Sequence, residues 1–77
     1  MYLTYDEQAD AVYVQFRRRA VARTEELNDS VAVDYDAEDQ PLGVEFLNVS
    51  LGIELDRVPH RTEVLKLLEA RHFKVYA

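Results

Sequence analysis

"VAVDYDAEDQPLGVEFLNV", residues 31–49, decides the fold. Apolar side chains alternate through Val31, Val33 and Tyr35, pause over "AEDQP", and resume as Leu42, Val44 and Phe46. A period of two puts every second side chain on one face of an extended chain, so the stretch reads as two strands around a turn. Asp, Glu and Pro suit that turn through local carboxylate bonds and a fixed φ. Asp34 and Glu45 fall on the opposite, polar face.

The same pattern extends toward the amino terminus. "YLTY" (2–5) and "AVYVQF" (11–16) flank the turn "DEQAD", with Val12, Val14 and Phe16 on one face and Gln15 outward. "VARTEEL" (21–27) follows the link "RRRA", and "NDS" leads into residue 31. Turn signals recurring every 8–12 residues or so predict an antiparallel meander of four to five strands, since parallel pairing needs crossover helices that this region lacks. "LGIEL" (51–55) alternates too, as a short strand or a strap across the sheet's edge.

Past "DRVP" the period changes. Val64, Leu65, Leu67 and Leu68 have the spacing of a helix of about three turns packed on one face of the sheet. Pro59 suits the first helical position, where a missing N–H costs nothing, and Arg71 and His72 lie where the helix dipole favours cations. No glycine closes this helix, so His72 is expected in the left-handed conformation with Phe73 packing back. "FKVYA" (73–77) reads as a final short strand, added to its own sheet or to that of a second copy. The expected class is α+β, one domain over 1–77, with the sheet in 1–56 and the helix and terminal strand in 57–77.

Composition narrows the chemistry. Seventy-seven residues without cysteine hold neither disulfides nor thiolate metal sites, and two histidines supply little else. A chain this short buries only about 60–65% of its unfolded surface, which makes a partner subunit the expected supplement. The net charge of −6 is uneven: residues 1–56 carry −9 and residues 57–77 carry +3. An acidic body opposes binding to nucleic acid and to anionic membranes. No apolar run reaches the ~20 residues of a membrane span, and the first residues lack the basic start and apolar core of a signal peptide. A cytoplasmic protein is expected.

Tyr5-Asp6, Ala9-Asp10-Ala11, Tyr13, Thr24, Val33-Asp34-Tyr35-Asp36 and Gly43-Val44-Glu45 stand in an order that resembles the small bacterial family catalogued as domain of unknown function 2283. The likeness covers residues 2 to about 50. Asp39 replaces the usual turn glycine, and Asn48 stands where the family tends to have Asp. Asp tolerates a left-handed turn, whereas Asn48 removes a carboxylate. The resemblance implies a small single-sheet α+β protein with no assigned activity. It also implies an antitoxin-like or partner-binding role, because members are encoded beside small toxin-like domains. It singles out Asp6, Asp10, Tyr13, Thr24, Asp34, Asp36 and Glu45 as interaction candidates.

Catalytic readings are weaker. Asp6, Glu7 and Asp10 flank a surface turn, which supplies neither the burial nor the like-charge neighbour that raises a catalytic carboxyl pKa. Asp34, Asp36, Glu38 and Glu45 match positions 1, 3, 5 and 12 of a calcium loop, but Asp39 occupies the required glycine position and strands flank the segment. In strands Asp34 and Asp36 share a face, at most a weak cation site. Arg17–Arg19 reads as a solvated turn at a hairpin end. His60 and Glu63 make an incomplete metal site, and no serine stands at a nucleophile elbow. No catalytic residue, metal or cofactor is expected. The function expected is a homodimeric, non-catalytic interaction module for a basic protein partner. The alternative is a small metal-dependent or hydrolytic enzyme using Asp6, Asp10, Asp34 and Asp36.

Overall fold

The computed structural model describes residues 1–76; Ala77, the last residue of the expected terminal strand, lies outside them. Five strands form one antiparallel sheet: β1 (Tyr2–Asp6), β2 (Ala11–Gln15), β3 (Arg23–Asn28), β4 (Val31–Tyr35) and β5 (Pro41–Leu47). A 3-10 turn, Val49–Leu51, leads to β6 (Ile53–Glu54), then α1 (Arg61–Ala70) and β7 (Val75–Tyr76). The α+β class, the antiparallel sheet and the C-terminal helix are as expected.

The strand order is β1-β2-β5-β4-β3. The expected meander therefore holds within β1–β2 and within β3–β4–β5, with a Greek-key crossing between the two. Strand chemistry accounts for the crossing. β5 carries Leu42, Val44 and Phe46, all buried, and takes the centre; β3, "RTEELN", is exposed at five of its six positions and takes an edge. A sheet in chain order would have put the charged strand in the middle. Consequently Arg17–Arg19 belongs to a link across the sheet's end, and not to a hairpin. Phe16 and Arg17 donate to the Leu42 carbonyl and Ala22 to that of Tyr35, fixing both ends of the link.

The core lies on one face of the sheet. Val12, Val14, Val31, Val33, Val44 and Phe46 meet Val49, Ile53, Leu55, Val58, Val64 and Leu68 from the covering layer. In that layer β6 and β7 pair in parallel, with α1 as the crossover between them. No periodicity in the sequence signals a parallel pair, yet the helix expected after residue 56 is the crossover such a pair requires. Of the expected terminal strand, Val75 and Tyr76 thus pair within the chain but outside the main sheet.

Both helix ends rest on left-handed residues. The chain turns into α1 through His60 (φ 53°), so the helix starts at Arg61 and Pro59 lies before it, not at its first position. The His60 ring sits edge-on against Phe16, centroids 4.9 Å apart. At the other end His72 has φ 64°, as expected. Its N–H donates to the Glu69 carbonyl and that of Phe73 to Leu68, both at 3.0 Å, while the Phe73 ring packs edge-on against Tyr5.

Candidate functional site

The uncovered face of the sheet gathers four of the seven sequence candidates. Register sets Tyr13 opposite Glu45, Gly43 opposite Asp34, and Asp34 opposite Thr24, forming a band across β2, β5, β4 and β3. The Tyr13 hydroxyl donates to Asp34 Oδ2 at 2.9 Å, and the Thr24 hydroxyl donates to Asp34 Oδ1 at 2.6 Å. Each carboxylate oxygen accepts one hydroxyl and keeps a second lone-pair direction free. Glu45 stands exposed beside Tyr13.

Gly43 makes this arrangement possible. It lies in mid-strand without a positive φ, so its absent side chain matters rather than its backbone freedom. A Cβ there would overlap the Tyr13 hydroxyl and come within 2.8 Å of ring atom Cε2. The ring lies diagonally over the glycine and carries its hydroxyl across β5 to Asp34. Burial against the sheet pushes the Tyr13 pKa up to about 12, reinforced by the hydrogen bond to Asp34 and by the negative charges of Asp34 and Glu45. Tyr13 is therefore a neutral donor across the physiological range and not a base.

The other three candidates fasten the fold. Asp6 accepts the Ala9 N–H at 3.1 Å within the β1–β2 turn. Asp10 (φ 53°) accepts both the Ser50 N–H at 3.0 Å and the Ser50 hydroxyl at 2.6 Å, which ties that turn to the corner after β5. Asp36, 7% exposed, accepts the N–H groups of Glu38 and Gln40 at 2.8 and 2.9 Å. The Gln40 N–H above all holds its carboxyl below the usual range; burial opposes this, while the Glu38 N–H and the charges of Arg19 and Arg17 assist. Asp36 closes its own turn, and Asp34 faces the open sheet. The two do not form the shared face that strand alternation suggested.

Chemistry elsewhere is sparse. Among the described residues no three His, Asp or Glu converge in metal-ligating geometry. His60 Nδ1 and Glu63 Oε2 lie 3.6 Å apart at the exposed start of α1, His60 just before the helix and Glu63 within its first turn. A hollow lined by Asn28, Ser30, Val31, Phe46, Ile53 and Glu54 contains one carboxylate and no imidazole. Sequence reading missed the role of Gly43 and the Asp10–Ser50 link. A glycine inside an apolar strand was the available sign of the first; the second joins residues 40 apart and left no local trace.

No helix among the described residues is long and apolar enough to cross a membrane. The chain has no match among curated proteins or solved structures. One family model, described as "Protein of unknown function (DUF2283)", matches residues 3–50, a segment that holds the five strands of the sheet apart from Tyr2 and each residue of the Tyr13–Asp34 band. On that match over more than half its length, the chain belongs to the DUF2283 family.

Proposed function

We propose that this protein is a non-catalytic interaction module of the cytoplasm, homodimeric and antitoxin-like, whose open sheet face engages a basic protein partner. The carrying observation is Asp34, held between two hydroxyl donors on an uncovered sheet, with Glu45 next to Tyr13. A carboxylate immobilised this way loses little side-chain entropy on binding and still has lone pairs for a guanidinium, which takes two oxygens at once. The half-buried Tyr13 ring adds apolar surface beside it. The −9 charge of residues 1–56 would speed encounter with a basic surface. An open face offers no shielded volume for a reacting group, which favours binding over turnover.

The test compares two charge-matched double variants in titrations with a short arginine-rich peptide of alternating Arg and Gly. Wild type and Asp29→Asn/Glu69→Gln are expected to bind alike. Asp34→Asn/Glu45→Gln, with the same change in net charge, is expected to weaken binding about tenfold or more. Equal weakening in both variants would reduce the effect to net charge and overturn the assignment of the face.

A further inference from the structure

The two edges of the sheet are built differently. β3 is defended in several ways that prevent a second chain from pairing with it. Arg23, Glu25 and Glu26 line it, and Arg23 pairs with both Glu25 and Asp39. Its register shifts between Glu26 and Asn28, which bends the edge. The Arg57 guanidinium donates to the Leu27 carbonyl at 2.8 Å, occupying a backbone acceptor there.

β1 has none of this. Its sequence, "YLTYD", contains no Lys, Arg or Pro, and it pairs with β2 in unbroken register over all five residues. Its outer side has no strand, so alternate N–H and C=O groups point away from the sheet. Exposed apolar side chains lie on it and beside it: Met1, Tyr2 (68% exposed) and Tyr5. A regular, unbroken edge of five residues with exposed aromatic side chains is a template for strand addition.

Charge selects the occupant and its direction. Arg17 and Arg18 lie beside Met1 and Tyr2 at one end of β1. Asp6 ends the strand and Glu7 follows it at the other. We propose that β1 pairs antiparallel with β1 of a second copy, across a two-fold axis normal to the sheet near Thr4, to give a continuous ten-stranded sheet. Antiparallel pairing sets the arginine end of each protomer beside the acidic end of the other, whereas parallel pairing would set like charges together. The same surface is thereby complementary to itself.

This inference rests on the homodimeric part of the proposed function and names its interface. A two-fold normal to the sheet keeps both outer faces on one side. The dimer therefore displays two Asp34 sites side by side, a bivalent surface on which a basic partner with two contacts gains by effective concentration.

Sedimentation across a concentration series tests the pairing, with circular dichroism to establish that each variant is folded. Wild type is expected to sediment as a dimer at about 100 μM. Thr4→Lys, which sets two ammonium groups near the axis, is expected to raise the dimer dissociation constant at least about tenfold. Glu7→Arg and Arg18→Glu lie outside β1; each alone is expected to weaken the dimer, and together they are expected to restore it. A wild type that is monomeric overturns both this pairing and the homodimeric reading. A dimer indifferent to Thr4→Lys, or one that the charge exchange does not restore, overturns the β1 interface alone. Arginine-peptide binding, which tests the sheet face, is independent of either result.

Discussion

Gly43 and Tyr13 act as one device, and a double-mutant cycle exposes it. Gly43→Ala should destabilise the wild-type chain by about 1–3 kcal/mol, because the new methyl displaces the ring and its bond to Asp34. In a Tyr13→Ala background the same change should stabilise by about 0.5 kcal/mol, since alanine in a strand has less backbone entropy to lose than glycine. Chemical denaturation of the four proteins checks the reversal of sign; two effects of equal sign would refute the seat. Tyr13 also makes stability depend on alkaline pH. The folded chain holds the phenolic proton more tightly than the unfolded chain does. Its contribution is therefore complete below about pH 10 and is lost as pH rises through about 12. Tyrosinate absorbance should show a late step in wild type that Tyr13→Phe lacks. The candidates in this band were legible as a motif, but their joint chemistry was not. Strands β2 and β4 are separated by β5, and only the register across all three brings Tyr13 to Asp34.

Elements were legible where local chemistry decides them. The end of α1 is the clearest case: without a glycine, the chain had to find another left-handed residue, and His72 is it. A β-carbon in that region costs about 1 kcal/mol or more relative to glycine. His72→Gly should accordingly stabilise the protein by about 0.5–1 kcal/mol while leaving the Phe73–Leu68 closing bond in place. Thermal unfolding checks this, and a loss of stability would mean that the imidazole contributes more than its strain costs. Leu68, fully buried beneath that cap, gives the opposite sign: Leu68→Ala should cost about 2–5 kcal/mol. The start of the same helix was less legible. Pro59 matched a generic preference, but the approach from β6 requires a sharp left-handed step at His60, and that step is set by the layer the chain leaves. The strand order was hidden for a related reason. Alternation fixes which face a side chain takes but does not rank strands by how much burial each can bear. That ranking, β5 central and β3 at an edge, follows only when whole strands are compared.

For the whole molecule, the segment shared with the family and the folding unit differ in extent. Residues 3–50 contain the sheet and its open face, yet the apolar side of that sheet is closed by Ile53, Leu55, Val58, Val64 and Leu68 from beyond the match. A chain of residues 1–50 alone would leave Val12, Val14, Val31, Val33, Val44 and Phe46 facing water. At about 1.5–3 kcal/mol per buried side chain, exposing these six forfeits roughly 9–18 kcal/mol, as much as the whole net stability of a small domain. The covering layer is itself pinned to the sheet at separated points: Asp10 to Ser50, Arg57 to the Leu27 carbonyl, and Tyr5 to Phe73. These links make the two layers one cooperative unit, so neither has a reason to persist without the other. A 1–50 fragment should give poorly dispersed amide resonances and self-associate, and adding a separate 51–77 peptide should restore dispersion by returning the missing face. A well-dispersed, monomeric fragment would show that the sheet stands without its cover, and the C-terminal layer would then have to be explained by something other than closing the core.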